Sequence, residues 1–214
     1  DIQGYISDPS TYFLNTGANL ISYPYDTSQS LSNALPFYML NNLIAVIGEN
    51  EAALFYNNQL YGSLTEFQPN QGYWFITNEP IPFEYNEPIQ NQSNSNVAIE
   101  DDQIIYQYNQ STQQSIFFIE EAYFNGEALN NNHTISASCN NEIVGGKIWD
   151  GEMMDMIIMG NDGYTYSENY CEENQIVSIQ ISNENITSDM YIIGNHQWIN
   201  NNISIIALSN YQLG

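Results

Sequence analysis

Five oxygen-bearing side chains, Asp150, Glu152, Asp155, Asn161 and Asp162, fall close together in the chain. Such a hard-oxygen set is the chemistry that holds a structural Ca2+ between strands. The twelve-residue calcium loop pattern is absent, because Asp162-Gly163 lacks the alternating carboxylates that should precede it. With 25 carboxylates in the chain, a solvated acidic loop is the alternative reading. Glu120-Glu121 and Glu172-Glu173 are adjacent pairs, whereas acid–base work on a glycoside needs two carboxylates across a cleft. Neighbours on a strand point to opposite faces, so neither pair is by itself that arrangement. His133 and His196 have no Cys or His at zinc-ligand spacing. There is no Gly-x-Ser-x-Gly elbow, no His-Glu-x-x-His and no phosphate loop. A desolvated Lys147 could serve as a catalytic amine; a lone cation among carboxylates reads instead as half of a structural ion pair.

Aromatic residues offer a second kind of chemistry, contact. The chain holds 17 Tyr and three Trp. Trp74 and Trp149, flanked by apolar residues, read as core. Trp198, in His196-Gln197-Trp198-Ile199-Asn200, reads as an exposed ring on which a sugar could stack. Near the start, Tyr5, Tyr12 and Phe13 punctuate residues 1–18 together with Ile2 and Ile6. This is a candidate arm that adds to a neighbour's sheet edge, or one that folds back on its own domain. Cys139 and Cys171 form either one disulfide, in an oxidising compartment, or two buried thiols. A bridge closing that loop would contribute about 3–4 kcal/mol. The five Asn-x-Ser/Thr sequons (Asn91, Asn109, Asn132, Asn185, Asn202) follow from a composition with 31 Asn.

Charge excludes whole classes of function. Lys147 is the only Lys or Arg against 25 Asp and Glu, for a formal net charge of −24. Phosphate binding runs on Lys and Arg, so nucleic acid is not a partner, and an anionic membrane would repel the chain. The depletion removes trypsin-type sites and keeps the surface soluble by self-repulsion, which suits exposure outside cells. No apolar run reaches the ~18 residues of a membrane helix. Asp1-Ile2-Gln3-Gly4 has neither a basic nor an apolar leader region, so the expectation is that any signal peptide has already been removed.

The elements that must position these residues are strands. Asn19–Tyr25, Leu43–Ile47, Ala53–Tyr56 and Tyr73–Thr77 are short apolar runs between Gly, Asn and Pro turns, with one helix expected over Ser28–Leu35, stopped by Pro36. Eight further strands are expected: Ile104–Tyr108, Ser115–Ile119, Thr134–Ala137, Glu142–Trp149, Met156–Met159, Ile176–Ile181, Met190–Ile193 and Ile203–Leu208. The reading is a mainly β fold of two small domains. A β-rich module with one short helix spans 1–88, a linker 89–103, and a β-sandwich-like module 104–214.

Particular stretches carry a resemblance. Tyr108-Asn109-Gln110-Ser111-Thr112-Gln113-Gln114-Ser115-Ile116-Phe117-Phe118, then Ala137-Ser138-Cys139-Asn140 with Val144-Gly145-Gly146-Lys147-Ile148-Trp149, then Met159-Gly160-Asn161-Asp162-Gly163 with Asn169-Tyr170-Cys171, resemble a β module of secreted and surface proteins of marine bacteria and of virion proteins of their phages. Lys147 replaces that pattern's usual Arg, and Asn169 its usual Gly. Asn19-Leu20-Ile21-Ser22, Tyr61-Gly62-Ser63-Leu64 and Gly72-Tyr73-Trp74 resemble a companion module. The resemblance implies non-catalytic work at a cell or particle surface. The expected function is structural, building or decorating a capsid, fibre or adhesive layer with copies of itself or another surface protein as partner. Glycan-binding adhesion is the alternative, and a carbohydrate-active enzyme a distant third.

Overall fold

The computed structural model describes residues 11–88, 106–131, 133–183 and 185–211. The chain is mainly β and divides into two units, residues 1–97 and 98–214. The expected linker, 89–103, lies outside the described residues.

The first unit runs β1 (Thr11–Leu14), β2 (Gly17–Ser22), β3 (Gln29–Ser30), helix α1 (Leu31–Ala34), a 3₁₀ turn at Phe37–Met39, β4 (Leu43–Ile47), β5 (Ala52–Tyr56), β6 (Gln59–Tyr61), β7 (Glu66–Phe67), β8 (Gly72–Thr77) and β9 (Ile81–Glu84). Five strands form one sheet in the order β2-β8-β4-β5-β6, with β1-β9 and β3-β7 as two-stranded ribbons. The expected helix over Ser28–Leu35 shrinks to one turn. Gln29 and Ser30 pair with Phe67 and Glu66 instead, and Pro36 stops the helix. One face of the five-stranded sheet, carrying Ile21, Tyr73, Phe75, Val46 and Ala53, closes on an aromatic core with Tyr23, Phe67, Phe83 and Tyr85. Rings there meet mainly edge to face, as Tyr85 does with Phe83 at 4.6 Å and with Tyr23 and Phe67 at 5.3 Å. Trp74 is not core, contrary to expectation: it alternates with Tyr73 and Phe75 and so takes the opposite face, 44% exposed.

The second unit contains β10 (Gln114–Phe124), β11 (Glu127–Ala128), β12 (Thr134–Cys139), β13 (Glu142–Ile148), β14 (Met154–Met159), β15 (Ser178–Ser182), β16 (Thr187–Ile193) and β17 (Ile203–Ser209). They form one curled sheet, β11-β10-β17-β16-β15-β12-β13, with β14 added on β10. The β10–β17 pair is parallel and the other pairs are antiparallel. The curl brings β13 beside β14 without ladder pairing. Gly145 permits that approach, since a Cβ there would lie 2.6 Å from the Ile157 carbonyl oxygen. Every residue of β14 is buried. The strand expected at Ile104–Tyr108 is not present over 106–108, which run as irregular chain, and that expected at Ile176 begins at Ser178.

Candidate functional site

At the end of β14 the chain leaves the sheet and forms a loop whose position is set from several sides. The Gly160 amide donates to the Gln113 carbonyl (2.8 Å) and the Ser111 hydroxyl donates to the Gly160 carbonyl (2.6 Å). The Asn161 amide donates to the Cys171 carbonyl (2.9 Å). Cys171 is bonded to Cys139, the last residue of β12. The oxidised reading of the two cysteines therefore holds, and the bridge ties the loop to the β12–β13 hairpin. Asn140, at that hairpin's tip, donates from Nδ2 to the carbonyls of Asn169 (3.3 Å) and Tyr170 (3.4 Å), while its Oδ1 accepts from Gln175 Nε2 (2.9 Å). Beneath the loop Tyr170 is buried, and its hydroxyl accepts from the Asn109 amide (2.8 Å) and donates to the Asn109 carbonyl (3.1 Å).

Asp162 organises the loop's outer part. Its Oδ1 accepts from Ser167 Oγ (2.6 Å) and the Tyr164 amide (3.3 Å), and its Oδ2 from the Tyr166 hydroxyl (2.5 Å) and the Thr112 amide (3.3 Å). The Ser167 bond first, then the Tyr166 bond, hold the carboxyl well below the usual carboxylate range. The same bond pushes the Tyr166 phenol up to about 12. A 3₁₀ turn at Thr165–Ser167 then presents two rings outward. Tyr164 is 65% and Tyr166 42% exposed; the rings lie parallel within 6°, with centroids 5.8 Å apart. Residue types alone did not single out this pair; the signal available was Asp162 followed by Ser167, the side-chain-to-backbone chemistry of a tight turn.

The residues singled out from sequence fall in different places. Trp198, expected exposed, is 3% exposed. Its indole donates to the Ile158 carbonyl (2.9 Å) and covers Gly160, where a Cβ would fall 2.1 Å from the ring. The polar neighbours that suggested a surface turn lie on either side of a ring that points inward. Of the proposed calcium ligands, Asp155 is fully buried in β14 and pairs with Lys147 Nζ at 3.0 Å, which is the structural ion pair expected for that lysine. Asp150 Oδ1 accepts from the Glu152 amide (2.8 Å), and Asn161 Oδ1 accepts from the Gly163 amide (2.8 Å). Among the described residues no three His, Cys, Asp or Glu gather as a metal-holding group. Glu120 and Glu121 do not take opposite environments; a register shift in β10 at this point leaves both exposed. Of the arm, residues 11–14 fold back as β1 on β9. Tyr12 packs on Phe83 and Tyr85 and donates to the Ser22 carbonyl (3.0 Å), while Phe13 is exposed. Tyr5 lies outside the described residues.

Comparison with known proteins returns no match for this chain, whether among family models, curated proteins or solved structures.

Proposed function

We propose that the chain is a non-enzymatic structural protein of an extracellular or particle surface, and that it joins its assembly through the outer face of the first unit's five-stranded sheet. The observation that carries this reading is the distribution of charge. Strands β2, β4, β5, β6 and β8 contain no charged residue at all, in a chain of net charge −24. On the outer face Leu20, 62% exposed, lies directly opposite Trp74, and Ala18 opposite Ile76. Ala45 and Ile47, further along the same face, are buried, so the open part is the β2–β8 edge. Apolar residues exposed side by side across two strands form the kind of continuous apolar surface through which proteins meet. Here two copies can meet without desolvating a carboxylate, once salt screens their mutual repulsion over about 8 Å.

The test is sedimentation velocity on the full chain at low and high salt. Association that grows with salt and concentration, and is lost in the Leu20→Ser/Trp74→Ser variant, is the expected result. A wild-type chain that remains monomeric throughout overturns the reading. The fold of the variant is checked by its near-ultraviolet circular dichroism.

A further inference from the structure

We propose that the Tyr164–Tyr166 pair is a docking site for a cationic segment of a different protein, a Lys- or Arg-bearing stretch that lays its charge on the ring faces. This rests on the structural-contact reading above and names the chemistry of a second partner. Three observations lead to it.

The first is that both rings are open and that one of them, Tyr166, is tethered, with Tyr164 parallel to it. Tyr166 is anchored through its hydroxyl to Asp162 (2.5 Å), and the loop is held by the Cys139–Cys171 bridge and the Asn140 amide. Little ordering entropy remains to be lost when something binds. The second is that four polar side chains of the loop and its support, Asn140, Asn161, Asp162 and Ser167, are already engaged. Asn161 Nδ2 donates to Glu172 Oε1 (2.7 Å), and both oxygens of Asp162 accept from within the unit. Asn140 is shared between Gln175 and the loop carbonyls. The Ser167 hydroxyl and the Asn161 and Asn140 amides are thus turned inward, and Thr165 and Asn169 are the polar residues left exposed beside the rings. The exposed rings add π surface to the loop's negative potential, and that combination favours a cation. The third is charge. Residues 161–173 hold four carboxylates and no Lys or Arg, and Glu168, Glu172 and Glu173 are exposed. A second copy cannot supply the cation, because its only Lys or Arg, Lys147, is held by a buried Asp155. The occupant is therefore another protein, and a guanidinium fits best, since it stacks on aromatic faces.

The experiment is a fluorescence-anisotropy titration of the full chain with labelled octa-arginine at physiological salt. The Tyr164→Leu variant keeps every charge and nearly all the apolar area but removes one π face. It is expected to bind about five-fold more weakly, the scale of one cation–π contact. Tyr164→Phe, which restores the face, should bind within about two-fold of wild type, as should Tyr38→Leu, a change at an exposed tyrosine of the other unit. Equal binding by wild type and Tyr164→Leu overturns the proposal, because attraction would then be diffuse charge alone. So does Tyr164-dependent binding of a neutral hexasaccharide without binding of octa-arginine. The titration does not require self-association, so its failure leaves the sheet-face reading to be judged by sedimentation alone.

Discussion

Asparagine explains much of how this chain turns. Among the described residues every non-glycine with positive φ is an Asn: Asn50, Asn57, Asn58, Asn70, Asn125, Asn140, Asn141, Asn174 and Asn201. Its short amide tolerates the left-handed region that other side chains avoid. Asn57-Asn58, Asn125-Gly126 and Asn140-Asn141 each make the two-residue hairpin connection with both central φ positive, the geometry that matches strand twist. Two other residues carry measurable consequences. Tyr85 is buried at the centre of the aromatic core, and its hydroxyl has no hydrogen-bond partner among the described residues. Burial also drives its phenol well above the ordinary value. Leaving such a group unpaired costs about 1–3 kcal/mol, so Tyr85→Phe should stabilise the first unit, by about 1 kcal/mol after lost polarity is counted; a lower denaturation midpoint in the variant would show that the hydroxyl is satisfied. Asp162 gives a pH signature. Its folded pKa is depressed, so its hydrogen bonds stabilise the unit fully above the ordinary carboxylate value, and that contribution is lost as pH falls through the window beneath it. The difference in melting temperature between wild type and Asp162→Ala should be constant from about pH 8 to 5 and shrink below about pH 4. A gap unchanged down to about pH 2 would contradict the assigned bonds.

Among the elements, the weak seam is where β13 and β14 lie side by side without a ladder. Lys147 on β13 and Asp155 on β14 cross it. Removing one member of a buried pair strands the other charge, at about 3–5 kcal/mol. Lys147→Met should therefore destabilise the second unit by about that amount, while Lys147→Met/Asp155→Leu should recover most of it, both read from denaturant midpoints. If the double variant is no better than the single, the seam depends on the ions themselves. The Cys139–Cys171 bridge, spanning a separation of 32 residues, should contribute about 3–4 kcal/mol. The Cys139→Ser/Cys171→Ser variant should show this as a lower melting temperature and as faster proteolysis within 160–171. Strand content was legible where apolar runs are short and bounded: Leu43–Ile47 has the boundaries expected, and Ala53–Tyr56 and Tyr73–Thr77 each gain one residue. The short strands β6 and β11 were not foreseen, because Gln59–Tyr61 and Glu127–Ala128 have little apolar pattern and exist through the Asn turns that precede them. Trp198 and Trp74 exchanged roles for a related reason. Local polarity suggested exposure for one and burial for the other, whereas the close approach at Gly160 and the alternation of β8 decide both. The Tyr164–Tyr166 site depends on contacts from Thr112 and Cys139, distant in sequence, and no local pattern encodes them.

Across the whole molecule, charge is arranged so that attraction must come from elsewhere. One ion pair uses the only Lys or Arg, and the remaining carboxylates keep copies apart until salt or a basic partner intervenes. Against that background the uncharged β2–β8 edge is the face on which the proposed contact between copies rests. Tryptophan reports on it directly. The chain has three, of which Trp149 and Trp198 are buried and Trp74 is exposed, so quenching by acrylamide is governed by Trp74. Measured across a concentration series at high salt, with association followed in the same samples, the quenchable fraction of tryptophan emission should disappear as the associated form accumulates. Trp74 that stays as accessible in the associated form as in the monomer would contradict the claim that this face is the contact.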